Sequence, residues 1–299
     1  MNKWKYFALL AAFCNASIGV FSKNIFNMGM SPSQVAFYKC LIAFLLLSLI
    51  HICDKNGLQK LKQLKASWLN IAICAFFGIF TLYFFETVAY SYATVSVVVF
   101  SLLGTSSITT FLMSYFLLKE KMTFFNILSF LLCLMGLFYI FNMHDIHLFS
   151  KGNILAMIAG AGYGLFLSLT KKLNVTTSNF AFLWWFIGFG TLYLFLPFLF
   201  SHPSMPSIST LPSLMLLSLV PTIGGYYCTA KALASGSASK VQLFELTEPI
   251  FASLLGFVFV GELLKGQQLV GAALILFAIY LSSQNPGIIF KKQLVKNTA

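Results

Sequence analysis

The chain has 299 residues, of which 59% are hydrophobic and 9% charged, and it carries a formal net charge of +12. No water-soluble fold hides that much apolar surface, so the composition excludes a soluble enzyme or regulator and makes lipid the main solvent. All of the basic charge is lysine; with no arginine to make bidentate phosphate or base contacts, nucleic acid is excluded as a partner.

A membrane helix needs roughly 20 apolar residues in sequence. Polar breaks in the hydropathy predict spans near Trp4–Asn24, Ser33–Ile52, Trp68–Tyr90, Val95–Leu118 and Phe124–Asn142 in the first half of the chain. The second half repeats the pattern near Asn153–Thr170, Ser178–Phe200, Leu211–Leu233, Ala238–Val260 and Gln267–Ser283. The first apolar run is too long for a signal-peptide core and is read as an uncleaved helix. Cysteines fall within or beside the spans, with no CxxC pair and no Cys/His spacing suited to zinc, so they are small core residues. No metal and no cofactor is expected.

Placing Glu262 over Glu120 brings the two sets of spans into register, and each set ends with a Glu in a short polar break (Leu117–Met122, Val260–Gly266) before one last apolar run. The expected fold is therefore all-α and integral to the membrane, with ten transmembrane helices forming two five-helix repeats. Residues 1–142 form the first repeat and 151–285 the second. A connector at 143–150 joins them, and a basic tail follows at 286–299.

Lysine placement sets the topology. One side of the membrane collects Lys3, Lys5, Lys55, Lys60, Lys62, Lys65, Lys119, Lys121, Lys171, Lys172, Lys231, Lys240, Lys291, Lys292 and Lys296. The other side collects Lys23, Lys151 and Lys265. The positive-inside rule then puts both termini in the cytoplasm. Because five spans per repeat is an odd number, the repeats are inverted with respect to each other, an arrangement common in alternating-access carriers.

Several embedded polar residues are candidates for chemistry. Lys39, early in the second span, either snorkels to the interface or serves as a cation for a substrate carboxylate, a phosphate or a gating Glu. Glu86, among aromatics late in the third span, is either a proton site facing the interior or a carboxylate at the interface or paired to a lysine. Glu245 and Glu248, three residues apart beside Pro249, fall on one helical face and either hold a cation, proton or amine or brace a neighbouring helix across the proline break. Glu120 and Glu262 read as solvated helix ends or loop contacts. Tyr163, Trp184, Trp185, Tyr226 and Tyr227 form an aromatic set that either lines a cavity or faces lipid. Glycines at close spacing, Gly160, Gly162 and Gly164 among them, allow tight helix contacts. No phosphate-binding loop, HExxH or GxSxG motif occurs, and the chain is read as no enzyme.

From end to end the chain resembles the EamA-like exporters of the drug/metabolite transporter superfamily. The resemblance rests on Lys23, Ser31-Pro32, the basic residue followed by Leu-Ile-Ala at Lys39 to Ala43, Glu248-Pro249, Gly261-Glu262, and Gln268 to Ile275. The chain departs from the pattern in having Cys14-Asn15-Ala16-Ser17 where Trp-Gly is usual, a lysine rather than an arginine at position 39, and Ser107 where a mate of Pro249 is expected.

The resemblance implies a basket of helices around a central cavity built by spans one to four and six to nine. It implies a secondary transporter of a small polar organic metabolite, amino acids and related compounds included, acting as exporter or exchanger at a bacterial inner membrane. Lys39, Glu86, Glu245, Glu248, Tyr163, Trp185 and Tyr227 are the candidate substrate-contacting residues, with proton coupling as an option. The partners are the metabolite and the bilayer, and the protein is a monomer or homodimer. A polytopic receptor or assembly partner is the alternative.

Overall fold

The computed structural model describes residues 3–141, 149–175, 180–201, 205–260 and 266–283. Glu262, Lys265, most of the connector and the basic tail lie outside the described residues. Among the described residues, nine helices are long and apolar enough to cross a membrane. They are Pro32–Cys53, Gly57–Ala89, Val95–Phe116, Phe124–Phe141, Lys151–Lys172, Phe180–Leu199, Leu211–Ser235, Ala238–Val258 and Gly266–Ser283, spans two to ten in order.

The first span is present as two shorter helices, Lys3–Ala16 and Ile18–Asn27. At their junction the Ser17 hydroxyl donates to the Cys14 carbonyl at 2.7 Å, and the Ser17 amide makes a tightened three-residue bond to that same oxygen. A hydroxyl competing for a backbone acceptor bends a helix at such a point.

The second span begins with a reciprocal cap. Ser31 accepts from the Gln34 amide, Gln34 answers to the Ser31 amide at 3.0 Å, and Pro32 occupies the first turn, where a missing N–H costs nothing. The third span starts earlier than its hydropathy predicts. A two-turn amphipathic helix, Gly57–Leu64, presents Lys60 and Lys62 outward and buries Leu61, then passes through a 3₁₀ turn at Lys65–Ser67. Asp54 anchors its start by pairing with Lys60 at 2.6 Å; that hydrogen bond, with a second from the Asn56 amide, holds the Asp54 carboxyl below its ordinary range.

Packing follows the duplication. The fifth span packs on the tenth, the second on the seventh and the fourth on the ninth, while first-on-eighth mirrors sixth-on-third and first-on-ninth mirrors sixth-on-fourth. Exchanging the halves returns these same pairings.

The contacts also fix orientation. Trp4 meets Phe244 and Phe13 meets Phe251, so the first and ninth spans run parallel. Gly152, Gly160 and Gly164 abut Ala93, Leu102 and Ser106 in turn, so the sixth and fourth are parallel as well. Gln242 reaches Ser107 while Ala238 reaches Glu120, which makes the ninth antiparallel to the fourth. The first span therefore opposes the sixth, and the repeats are inverted.

Small residues make a tight crossing between the fifth and tenth spans. A Cβ on Gly136 would sit 2.6 Å from the Ile275 side chain, and one on Gly271 would sit 2.7 Å from Ile140. The absence of side chains there lets the fifth and tenth helices close on each other by van der Waals packing, which is the main attraction available between helices in lipid.

Candidate functional site

The third and eighth spans leave α-helical geometry at equivalent places. Phe76–Phe84 and Ser218–Gly225 are π-helical, and the register that overlays Glu262 on Glu120 also overlays Ser218 on Phe76. A π-turn leaves carbonyls without their usual amide partners. Here Thr81 donates to Phe76 O at 3.0 Å and Thr222 to Leu217 O at 2.8 Å, while Pro221, lacking an N–H, is tolerated inside the second π segment. The Tyr226 hydroxyl donates to the Gly78 carbonyl and ties the two irregular segments together at the molecule's centre.

Beside this junction lies a cavity in two connected parts, of about 460 Å³ and about 50 Å³, which share Asn15, Ile18, Glu86 and Glu248 in their walls. The larger volume lies within the range of about 300–1,000 Å³ typical of ligand clefts. Its walls include Tyr90 at the end of the third span, Ser96 at the start of the fourth, Phe141 at the end of the fifth and Gln267 at the start of the tenth. These helix ends share one face of the molecule, and the cavity opens there. The fifth and tenth spans thus reach the mouth, and no residue of the second or seventh span is among those lining either part.

The opposite face is sealed. Trp4 packs edge-on against Phe244 with ring centres 5.1 Å apart. Gln242 donates to Ser106 at 3.0 Å and to Ser107 at 3.2 Å. Glu120 accepts from the Ala238 amide at 2.9 Å and from the Ser239 hydroxyl at 2.5 Å, and so caps the start of the ninth span from the other repeat. Lys171 donates to the Leu233 carbonyl at 2.8 Å.

The acids divide between roles. Glu86 lines both parts of the cavity and accepts from the Tyr90 hydroxyl at 3.0 Å. Glu248 also lines both parts and makes no hydrogen bond or ion pair among the described residues. Glu245 is buried away from the lining, its two oxygens accepting from Tyr163 at 2.8 Å and Thr229 at 2.7 Å.

The spacing of three had placed Glu245 and Glu248 on one helical face. Instead the helix ending at Glu245 and the helix beginning at Glu248 are separated by a turn at Leu246–Thr247. Pro249 cannot continue the ladder back to Glu245, and the break sends the two carboxylates to different surroundings.

Lys39 is only 2% exposed and does not line the cavity. Its ammonium lies 3.3 Å from the centre of the Tyr83 ring, which itself forms cavity wall. A desolvated cation on an aromatic face gains on the order of 2 kcal/mol, and Glu86 lies close enough to add electrostatic attraction.

Of the aromatic candidates, Tyr163 reaches the smaller part of the cavity. Trp185 donates to Leu61 O at 3.1 Å and stacks on Phe189, tying the seventh span to the amphipathic segment before the third. Tyr227 stacks on Phe180, and it is the adjacent Tyr226 that faces the cavity. The structure adds Asn15, Tyr83 and Tyr90 to the wall. Asn15 alone carried a sequence signal, as an amide in the middle of an apolar span; the tyrosines were indistinguishable from their lipid-facing neighbours.

With this geometry in hand, comparison with known proteins is decisive for the family. The model of the EamA-like transporter family matches residues 2–142 and again 150–284. The chain belongs to the EamA-like transporter family. It is similar to proteins named as uncharacterized transporters, one from Archaeoglobus fulgidus at 23% identity over 85% of this chain and 88% of the relative. Another, from Clostridium kluyveri, is 25% identical over 92% of this chain and 91% of the relative. The uncharacterized transporter YdfC of Bacillus subtilis is 25% identical over 79% of this chain and 76% of its own length. A solved crystal structure superposes with a TM-score of 0.77 over 94% of this chain and 96% of that one; at 13% identity it speaks for the fold alone. The EamA-like chain is thus a multi-pass membrane transporter with a lipid-embedded helical fold.

Proposed function

We propose that this EamA-like protein is a secondary carrier that moves a small polar organic metabolite by alternating access, as an exporter or exchanger at the bacterial inner membrane. Amino acids and their close relatives are the first compounds to assay. The observation that carries the reading is a polar cavity open at one face and sealed at the other, inside two inverted repeats. When each repeat adopts the conformation of its mate, the opening moves to the opposite face with no change of fold.

In this account residues 1–142 and 151–285 act as the two exchanging units, joined at 143–150. Both termini and the tail at 286–299 are cytoplasmic, in line with the lysine distribution, so the sealed face points inward. Glu86 and Glu248 meet the solute, Tyr163 and Glu245 form a buried acid site beside it suited to proton coupling, and Lys39 sets the charge behind Tyr83. A monomer holds a complete cavity, and the same unit serves in a homodimer.

Purified protein in liposomes tests the reading. Counterflow of candidate solutes should occur and should weaken in Glu86→Gln, which removes a carboxylate from the wall shared by both parts of the cavity. Absence of counterflow for every solute that binds the protein would refute a carrier.

A further inference from the structure

We propose that the cavity selects organic cations, recognising a substrate ammonium group between Glu86 and Glu248 and offering no site to a substrate carboxylate. The proposal rests on the carrier reading for its biological use, but the charge preference is a property of the site itself.

Counting the charges that reach the cavity gives the argument. Two carboxylates, Glu86 and Glu248, stand in the walls of both parts, and no lysine is among the described lining residues. A carboxylate inside a bilayer persists only against a positive partner or with a proton on it. Glu245 has its partners within the protein, in Tyr163 and Thr229. Glu248 has none among the described residues, so its charge is balanced by a proton or by a cation in the cavity, and an ammonium group is the organic form of the second.

Among the described side chains, Lys39 is the embedded cation near the site, and it is held against an aromatic ring. Its ammonium rests 3.3 Å from the Tyr83 ring centre with 2% of the residue exposed, and Tyr83 lines the cavity where Lys39 does not. Buried in this way, the ammonium is not presented to an anionic group in the cavity. The remaining wall also favours positive charge. Tyr83, Tyr163 and Tyr226 line the smaller part of the cavity, where aromatic rings suit a cation, and Asn15 lines both parts. The class of ligand that fits is a small amine or quaternary ammonium with an apolar or aromatic body.

Three probes of one size separate the possibilities: phenethylammonium, 3-phenylpropanoate and phenylalanine, titrated by calorimetry onto the protein in lipid nanodiscs. The expected result is saturable binding of phenethylammonium, at least tenfold weaker binding of phenylalanine, and none of 3-phenylpropanoate. Glu248→Gln and Glu86→Gln should each weaken the ammonium at least tenfold, and Glu248→Asp should recover part of the loss. Failure of phenethylammonium to bind, equal or tighter binding of the carboxylate, or ammonium binding indifferent to both Gln variants in monodisperse protein would overturn the proposal.

Counterflow of the same probes distinguishes this claim from the carrier reading. Ammonium that binds but never crosses supports the charge preference and sinks the carrier. Carboxylate or zwitterion that crosses while the ammonium does not leaves the carrier standing and overturns the cation preference.

Discussion

Glu120 is the clearest lever on the sealed face. It extends from the end of the fourth span and accepts from the Ala238 amide at 2.9 Å and the Ser239 hydroxyl at 2.5 Å, holding the first turn of the ninth span from across the repeat boundary. Hydrogen bonds to a charged group contribute about 1.5–3 kcal/mol each net when well buried. Glu120 is only partly shielded and water replaces some of what is lost, so Glu120→Ala should weaken the seal by about 2 kcal/mol in total. At about 1.4 kcal/mol per factor of ten, that multiplies the unsealed population about 30-fold.

Thr110 supplies the reporter: it is fully buried on the stripe that runs Ser106, Thr110, Ser114 along the fourth span, and its hydroxyl has no hydrogen-bond partner among the described residues. A T110C substitution in a Cys53→Ser background removes an exposed thiol and adds one that is hidden until the seal opens. Labelling with a membrane-impermeant maleimide, the site read by peptide mass spectrometry, should proceed about 30-fold faster when Glu120→Ala is added. A rate unchanged within twofold, in protein of unaltered melting temperature, would show that Glu120 does not hold the seal.

Other variants probe the packing and the buried acid. Glu245→Ala strands the Tyr163 and Thr229 hydroxyls in the interior, at about 1–3 kcal/mol for each unpaired group, and should lower the detergent melting temperature by several degrees; Glu245→Gln, which keeps an acceptor, should lose much less. Gly136→Leu drives a side chain into Ile275 across the fifth–tenth crossing, an overpacking cost of about 1–3 kcal/mol that size-exclusion chromatography after heating should register, whereas Gly104→Leu, where the space beside the helix is open, should be tolerated. Trp185→Phe removes the bond to Leu61 without touching the cavity, so it should lower stability modestly and leave ligand affinity unchanged within twofold.

The spans were legible because crossing a bilayer imposes a length and a composition that a single sequence displays openly. Inversion was legible too, since lysine placement and an odd span count leave one arrangement, and the Trp4–Phe244 and Gly164–Ser106 contacts reach the same conclusion independently. What lay beyond the sequence depends on packing. The π-helical turns at Phe76–Phe84 and Ser218–Gly225 have no residue signature of their own beyond Pro221, and the Tyr226–Gly78 bond that joins them is a tertiary contact. Spacing put Glu245 beside Glu248, but the turn before Pro249 gave one to Tyr163 and Thr229 and the other to the cavity. Hydropathy flagged Lys39 as embedded charge without revealing Tyr83 as its cover, because cation–aromatic contact between the second and third spans is a matter of tertiary placement.

Distances between spin labels at the two faces test alternating access most directly. One pair, Ser96→Cys with Leu254→Cys, spans the fourth and ninth helices beside the mouth; the other, Lys121→Cys with Lys240→Cys, spans the same helices across the seal. Two populations are predicted, one with the mouth pair long and the seal pair short and the other with these reversed, and their ratio should shift when phenethylammonium is added. A single fixed set of distances, or both pairs lengthening together, would contradict it.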